Sequence, residues 1–347
     1  MAITEVAYCT REDVQRSLNL ADIPRLNTRV DQAIMTGAHQ IHGLLHRVFY
    51  PNTKTVLFDQ PEAGNLWLYE LELSAAPTQI LSGTKAMTIG TDVFLRPKSG
   101  PPYRWLEASS GGTVFWQSVN TPQAAISITG DYGYPTNPVA VGTTGASIDG
   151  VSSTLTLNDS SVIGVGSLLL IGTERLIVSD KTMSATGATL GGNLTTSKSE
   201  VSIPVSNGAL INPGELILID SERMQVEYVV GNVLTVDRAV NGSALATHTT
   251  GATISAGRTA TVLRGRLGTT AAAHSSASPI TALRAPSLIS ELNLAYAINN
   301  QQGAAGTYAR SLETDVATLY KDKGRGVLDL ENDAYQAYGR KARGRAV

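Results

Sequence analysis

Five histidines, one cysteine and a few repeated carboxylates are the residues from which chemistry could be built. His39, His42 and His46 fall three and four residues apart, a spacing that on a helix turns two imidazoles to one side, as a metal requires. Gly43, Leu44 and Leu45 stand between the last two, so the glutamate of a hydrolytic His-Glu-x-x-His helix is missing, and no carboxylate cluster lies nearby in the sequence. The three read as surface or interface histidines. His248 and His274 each follow a Gly-Ser or Gly-Thr turn at matching places in a repeat, which favours bracing of a turn in both copies over catalysis. Glu174-Arg175 and Glu222-Arg223 suggest paired carboxylates, but each lies between two strands of a duplicated unit and reads as an ion pair or turn contact.

Cys9 stands alone and can make neither an intramolecular disulfide nor a zinc site. No Gly-x-Ser-x-Gly elbow, phosphate loop or dinucleotide fingerprint occurs, and Gly164-Val-Gly166 and Gly324-Arg-Gly326, lacking a third glycine, read as loops. The sequence therefore predicts no enzyme, no cofactor and no metal. Arg340, Lys341, Arg343 and Arg345 put four positive charges and no acid at the end of the chain. Two readings of that run stand side by side: a solvated tail finishing a helix whose dipole favours cations, or an arm that docks on an acidic partner or on DNA phosphates.

The chain of 347 residues is 42% hydrophobic, with 27 basic and 29 acidic side chains, enough for two or three domains with cores of their own. A net charge of −2 lacks the basic excess of a protein whose main task is gripping phosphates. The start Met-Ala-Ile-Thr-Glu-Val carries no basic region followed by an apolar run, and no stretch approaches the ~18–20 apolar residues that span a bilayer. The expectation is a soluble protein made and folded in a reducing cytoplasm.

Aromatic residues divide the chain more sharply than charge. All three Trp, all four Phe and every Tyr except Tyr228 lie outside residues 139–282, a stretch rich in Gly, Thr, Ser, Val and Leu. Within it Gly166–Val178 reappears 48 residues later as Gly214–Val226, and Leu234–His248 recurs 26 residues later as Ala260–His274. Duplicated short strands explain both. Val226–Val230, Gly231-Asn232 and Val233–Val236 read as a hairpin, because Gly-Asn supplies the positive φ of a primed turn. The flanks differ. Thr10 and Asp13 form a capping arrangement for a short helix ending near Leu18, and apolar residues at 30, 34, 38, 41, 45 and 48 make one helical face over about Leu26–Val48. Strands are predicted at 55–58, 66–69, 92–95, 103–106 and 125–129, then helices from Ser287 and around Leu328–Tyr338, the last stopping at Gly339.

Read together, the flanks resemble a known family. Tyr8–Leu18 leads to a long helix closing with His46-Arg-Val-Phe-Tyr-Pro51; a β region with Pro101-Pro-Tyr-Arg-Trp-Leu106 ends in Ile128-Thr-Gly-Asp-Tyr-Gly-Tyr-Pro135, and a helix follows the next prolines. This resembles the head-to-tail adaptor (connector, head-completion) proteins of long-tailed bacteriophages, especially the larger versions in phages of actinobacteria, over roughly residues 5–138 and 284–315. The middle region departs from compact adaptors, in which the helix comes soon after the Gly-x-x-Gly-x-Pro turn.

The resemblance implies an α+β protein: an adaptor core of a small helical bundle with a β-sheet region, contributed by residues 1–138 and 284–347, and an inserted all-β barrel- or sandwich-like domain at 139–283. It implies a virion neck protein made in the host cytoplasm, closing into a ring, twelvefold in this family, between the portal protein and a downstream head-completion or tail-terminator protein. Genomic DNA would pass through the channel without sequence specificity, and no membrane is involved. Leu328, Leu330, Tyr335, Tyr338, Arg340, Lys341, Arg343 and Arg345 are the candidate residues docking on portal or neighbour. The alternative is a tail or baseplate component that binds host-surface carbohydrate through the β domain, for which Tyr228, its single aromatic, offers little platform.

Overall fold

The structure, a computed structural model, describes residues 3–69, 71–309 and 316–340, with the backbone alone for 303–309 and 316–325. Local chemistry starts and stops its helices. α1 (Arg11–Leu18) opens on a capping box in which the Thr10 hydroxyl accepts from the Asp13 N–H and the Asp13 carboxylate accepts from the Thr10 N–H. α2 (Pro24–Leu45) has proline in its first turn, where no backbone donor is needed, and ends at His46 in the left-handed region, φ 51°. Its buried residues Val30, Ile34, Ala38, Ile41 and Leu45 are the apolar face read from the sequence. α3 (Ser287–Ala309) crosses α2 closely: a Cβ on Gly37 would lie 2.7 Å from Asn293 Nδ2, so a larger residue there would push the helices apart. α4 (Val316–Tyr338) is longer than expected and contains Gly324-Arg-Gly326, which is therefore helix and not loop. Each such glycine costs a helix about 1 kcal/mol. Burial of Ala334, with Leu330 and Tyr338 packed on the same core, opposes that cost.

Between α2 and the repeated region lie β1 (Asn52–Phe58), β2 (Asn65–Trp67), β3 (Gln79–Ser82), β4 (Lys85–Ala86), β5 (Val93–Arg96), β6 (Trp105–Ala108) and β7 (Ile126–Tyr132). They form two antiparallel sheets, ordered β1-β7-β3-β4 and β2-β6-β5, around a core that includes Leu66, Leu73, Ile80, Leu106, Ile126 and Ile128.

The rest is one large sheet. It is built from β8 (Asn137–Thr143), β9 (Thr154–Thr156), β10 (Leu168–Ile171), β11 (Glu174–Thr189), β12 (Ser202–Pro204), β13 (Leu216–Ile219), β14 (Glu222–Val230), β15 (Val233–Arg238), β16 (Thr253–Leu263) and β17 (Pro279–Arg284). The order is β12-β15-β14-β13-β16-β11-β10-β17-β8, with β9 also on β16. No barrel closes among these strands, so the architecture is α+β with a large open antiparallel sheet.

The two sequence repeats are halves of one duplicated unit. Thr154–Thr156 pairs with Thr259–Thr261 as Ser202–Pro204 pairs with Val233–Thr235; Leu169 faces Ala282 as Ile217 faces Ala256; Ile148 bridges His274 as Leu194 bridges His248. First halves are related by 46–48 residues and second halves by 26, in the order outer, inner, inner, outer. The inner copy is thus nested in the hairpin of the outer one, whose arms β11 and β16 carry it. The inner hairpin ends at Gly231, φ 58°, as its turn residues require.

Apolar burial does not follow the composition boundary. The inner copy has a core of its own, with Ile203, Ile217, Met224, Leu234 and Ile254 fully buried. The outer copy shares one core with the helices: Leu155, Leu169, Leu176 and Val262 belong to the cluster of Val14, Ile34, Ile41 and Leu292. The outer copy's inner face is covered by helices, where the inner copy covers its own. The borders at 139 and 283 fall within β8 and β17, which pair with each other from Asn137↔Arg284 to Pro279↔Thr143 and bring the two ends of the region together.

Candidate docking interfaces

Each copy of the duplicated unit is centred on a buried glutamate. Glu174, fully buried at the start of β11, accepts both forks of Arg264 at 2.7 Å, the backbone N–H groups of Gly265 and Ala272, and His274 Nε2 at 2.8 Å. Glu222 does the same with Arg238 (2.9 and 2.8 Å), Ala239 N, Ala246 N and His248 Nε2 (2.9 Å). The arginines go on to cap carbonyls: Arg264 those of Asp149, Ser152 and Ala272, Arg238 those of Thr195, Ser197 and Ala246. Burial alone would raise the Glu174 carboxyl, but Arg264, the two amides and His274 outweigh it and take it down to about 2; Glu222 is lowered for the same reasons. These centres hold two long strands to the loop that returns beside them. The carboxylates are saturated with donors, which leaves them no spare lone pair for a reacting group. The inner centre carries two further acids: His248 Nδ1 also meets Asp220 at 2.7 Å, where the outer copy has Gly172, and Arg238 also meets Glu200 at 3.5 Å.

Neither glutamate pairs with the arginine next to it in sequence. Strand alternation turns Arg175 and Arg223 to the opposite face, and there each holds an aspartate of the flanking region. Arg175 donates to Asp131 in β7 at 2.7 Å and to Thr53 in β1; Arg223 donates to Asp22, between α1 and α2, at 2.8 Å. The same turn seats both contacts: Gly268 lies so close to the Thr53 carbonyl, and Gly242 to Ala21, that a Cβ at either would overlap its neighbour. Both glycines have positive φ. Two copies of one surface, an arginine beside a glycine turn, thus dock two unrelated Asp-bearing segments.

The N-terminal segment is fastened by a buried asparagine. Asn293 Oδ1 accepts from the Tyr8 and Cys9 amides, and its Nδ2 donates to the Ile34 carbonyl, tying residues 8–9, α2 and α3 together. Beside them, where α1 meets both copies, is a cavity of about 520 Å³. Its walls carry charges that pair with each other or with close neighbours: Lys181 with Glu12, Arg223 with Asp22, and Arg11 with Asp31 and Asp180.

The α2 histidines separate. His42 is largely buried, its Nε2 2.6 Å from the Tyr8 hydroxyl, and burial lowers it to about 4; His39 faces Glu5 at the surface, and His46 is the helix cap. No group of three metal-ligating side chains occurs among the described residues.

The candidate docking residues divide as well. Leu328 (57% exposed) and Tyr335 (43%) face outward, whereas Leu330 and Tyr338 pack on the helical core, the Tyr338 ring 5.6 Å from Phe49 and 5.5 Å from Tyr134. Arg340 meets Glu72 at 2.6 Å, and Glu72, almost fully buried, also holds Arg47 at 2.8 Å. Lys341, Arg343 and Arg345 lie outside the described residues. Sequence reasoning missed the Arg47–Glu72–Arg340 cluster, since nothing in the spacing of three residues so far apart announces it.

No family model matches the chain, and no curated protein or solved structure was found similar to it. No helix among the described residues is long and apolar enough to cross a membrane.

Proposed function

We propose that the chain is a structural protein of a phage virion, a head-to-tail adaptor that completes the head and passes DNA from portal to tail. The observation that carries the reading is the meeting of the two segments that resemble the family. Residues 8–9, α2 and α3 share a core and the Asn293 clasp although the large sheet separates them in sequence, and that sheet leaves and returns through the paired strands β8 and β17. Such an arrangement suits an adaptor core with a β region inserted between its two parts. The saturated glutamate centres point the same way, toward support and interfaces instead of turnover. A net charge of −2 suits a conduit that must release the genome it conducts.

The test is location. Imaging of virions with this chain labelled should place it at the neck, and particles lacking it should carry packed heads without tails. Label at the tail tip would favour the second reading, a carbohydrate-binding tail component. One observation supports that reading: Trp67 in β2 (39% exposed) and Tyr69 in the turn after it (75%) lie at the surface, Trp67 stacked on Trp105 of β6 at 4.8 Å, outside the repeated region.

A further inference from the structure

The two copies are tied to the flanking regions by the same device, but not with the same strength. In the outer copy Arg175 donates to Asp131, to the Thr53 hydroxyl and to the Leu267 carbonyl, and the Thr53 N–H donates to that carbonyl as well. The copy also shares its core with the helices. In the inner copy Arg223, at the matching place in its hairpin, has Asp22 alone, and among the described residues no backbone hydrogen bond joins the two segments. The Arg223 side chain is 22% exposed where that of Arg175 is 9%, and the inner core holds no helical residue.

The ladder that carries the inner copy is broken where the copies join. Between β11 and β16 the register slips from Val178 to Asp180, from Thr182 to Ser184 and from Ala185 to Thr189. At the middle slip Met183 stands against Gly257 and Arg258, and two residues opposing one form a bulge, which bends a strand pair and interrupts its bonding. Beside this joint lies the cavity of about 520 Å³, walled by Glu12 and Arg16 of α1 on one side and by Gly214 and Arg223 of the inner copy on another. Open space stands where side-chain packing would otherwise fix the arrangement. One buried clasp holds the foot of the inner copy to the ribbon: Glu215 accepts from the Ser160 N–H and hydroxyl and from both forks of Arg258. Arg223, opposite Leu218, lies farther along β13 from that foot.

We infer that the inner copy is an arm that pivots at Met183 and Gly257, about the Glu215 clasp, and is latched to the segment between α1 and α2 by Arg223 on Asp22. Opening separates one half-exposed ion pair and the contact of Gly242 with Ala21, while both cores stay whole. Such a step is a hinge motion and not an unfolding. Because the latch is ionic and reached by water, salt loosens it.

Distances between the copies test it on the purified full-length chain. Spin labels on Val151→Cys in the outer copy and Val230→Cys in the inner copy, both exposed positions, report the separation by double electron–electron resonance. Cys9 is buried and its thiol is pushed up by burial, so it takes no label. The chain with its latch intact should show one main distance and a minor second population. Asp22→Asn keeps the shape of the side chain and its bond from Asn27, and it should raise the second population about fivefold, as loss of a half-exposed ion pair allows. Raising salt should act in the same direction, and Asp131→Asn, the matching change at the outer copy, should leave the distances as they are. Circular dichroism checks that each labelled chain is folded. A distance distribution unmoved by Asp22→Asn overturns the inference by making the copies one rigid body, and an equal response to Asp131→Asn overturns it by making the effect a general loosening. Neither result bears on location at the neck, so the two readings fail separately.

Discussion

His248 and His274 stand 26 residues apart in sequence and in the same place in space relative to their own copies: each directs Nε2 at a fully buried glutamate, at 2.9 and 2.8 Å, and each bridges back to an isoleucine or leucine, Leu194 and Ile148. The correspondence ties the two sequence repeats into one unit and makes the glutamate centres the parts on which each copy depends.

Replacing Arg238 with Met should be severe. Glu222 would keep its burial and lose its bidentate partner, and stranding one member of a buried pair costs on the order of 3–5 kcal/mol. Urea unfolding followed by circular dichroism measures it, and Glu222→Leu should also be severe, because the Ala239 and Ala246 amides and His248 lose their acceptor along with Arg238. The losses in the two single variants and in Glu222→Leu/Arg238→Met should be far from additive, and strict additivity would mean that the centre is not a coupled pair.

Acid should act through the same centre. The Glu174 carboxyl is held at about 2 against an ordinary value of 4.5, so it contributes stability that is fully present above about 4.5 and is lost as pH falls toward 2. Glu174→Gln should lower stability at neutral pH and flatten the acid limb of a melting-temperature profile in that window.

His42 titrates higher. Burial holds it at about 4 against 6.5, so the unfolded chain takes up the proton first, and stability falls as pH drops from about 6.5 to about 4. His42→Phe keeps a ring in the site while giving up the bond to Tyr8, and it should remove that part of the pH dependence. An unchanged profile would place the titration elsewhere.

On α4 the outward and inward residues should separate in function. Leu328→Asp and Tyr335→Asp should leave the melting temperature within a degree or two and, on the proposed adaptor reading, reduce joining of heads to tails, whereas Tyr338→Ala should cost about 2–3 kcal/mol by opening the contacts with Phe49 and Tyr134. Truncation before Val327 removes Ala334 and Tyr338 from the core, so loss of joining by that chain reports unfolding unless its melting is checked as well.

Signals that act over a few residues were readable in the sequence. The Thr10–Asp13 cap, the α2 face from Val30 to Leu45, the Gly231-Asn232 turn and the paired histidines all rest on spacing within one element or between near repeats. What joins distant segments was not. The two repeat offsets did not disclose nesting, because the inner copy separates the halves of the outer one in sequence and only the pairing of β11 with β16 shows which halves belong together. Glu174 stands beside Arg175 in sequence, yet alternation of side chains along a strand sends one to Arg264 and the other to Asp131. The helical Gly324-Arg-Gly326 reversed a local preference through packing of residues further along α4.

Nesting has a consequence for the order in which the chain acquires its structure. The inner closure, Leu194 to His248, spans 54 residues, while the outer, Ile148 to His274, spans 126. Closing the longer loop in an open chain costs roughly 0.7 kcal/mol more entropy, but once the inner copy is compact it shortens the effective path between the outer halves. Translation reinforces this, since His248 leaves the ribosome before His274, and the inner pair of brackets is complete before the outer can be closed. The inner copy should therefore gain amide protection first in pulsed hydrogen exchange, while β9 waits for β16 and β10, paired early only with its hairpin neighbour β11, waits for β17.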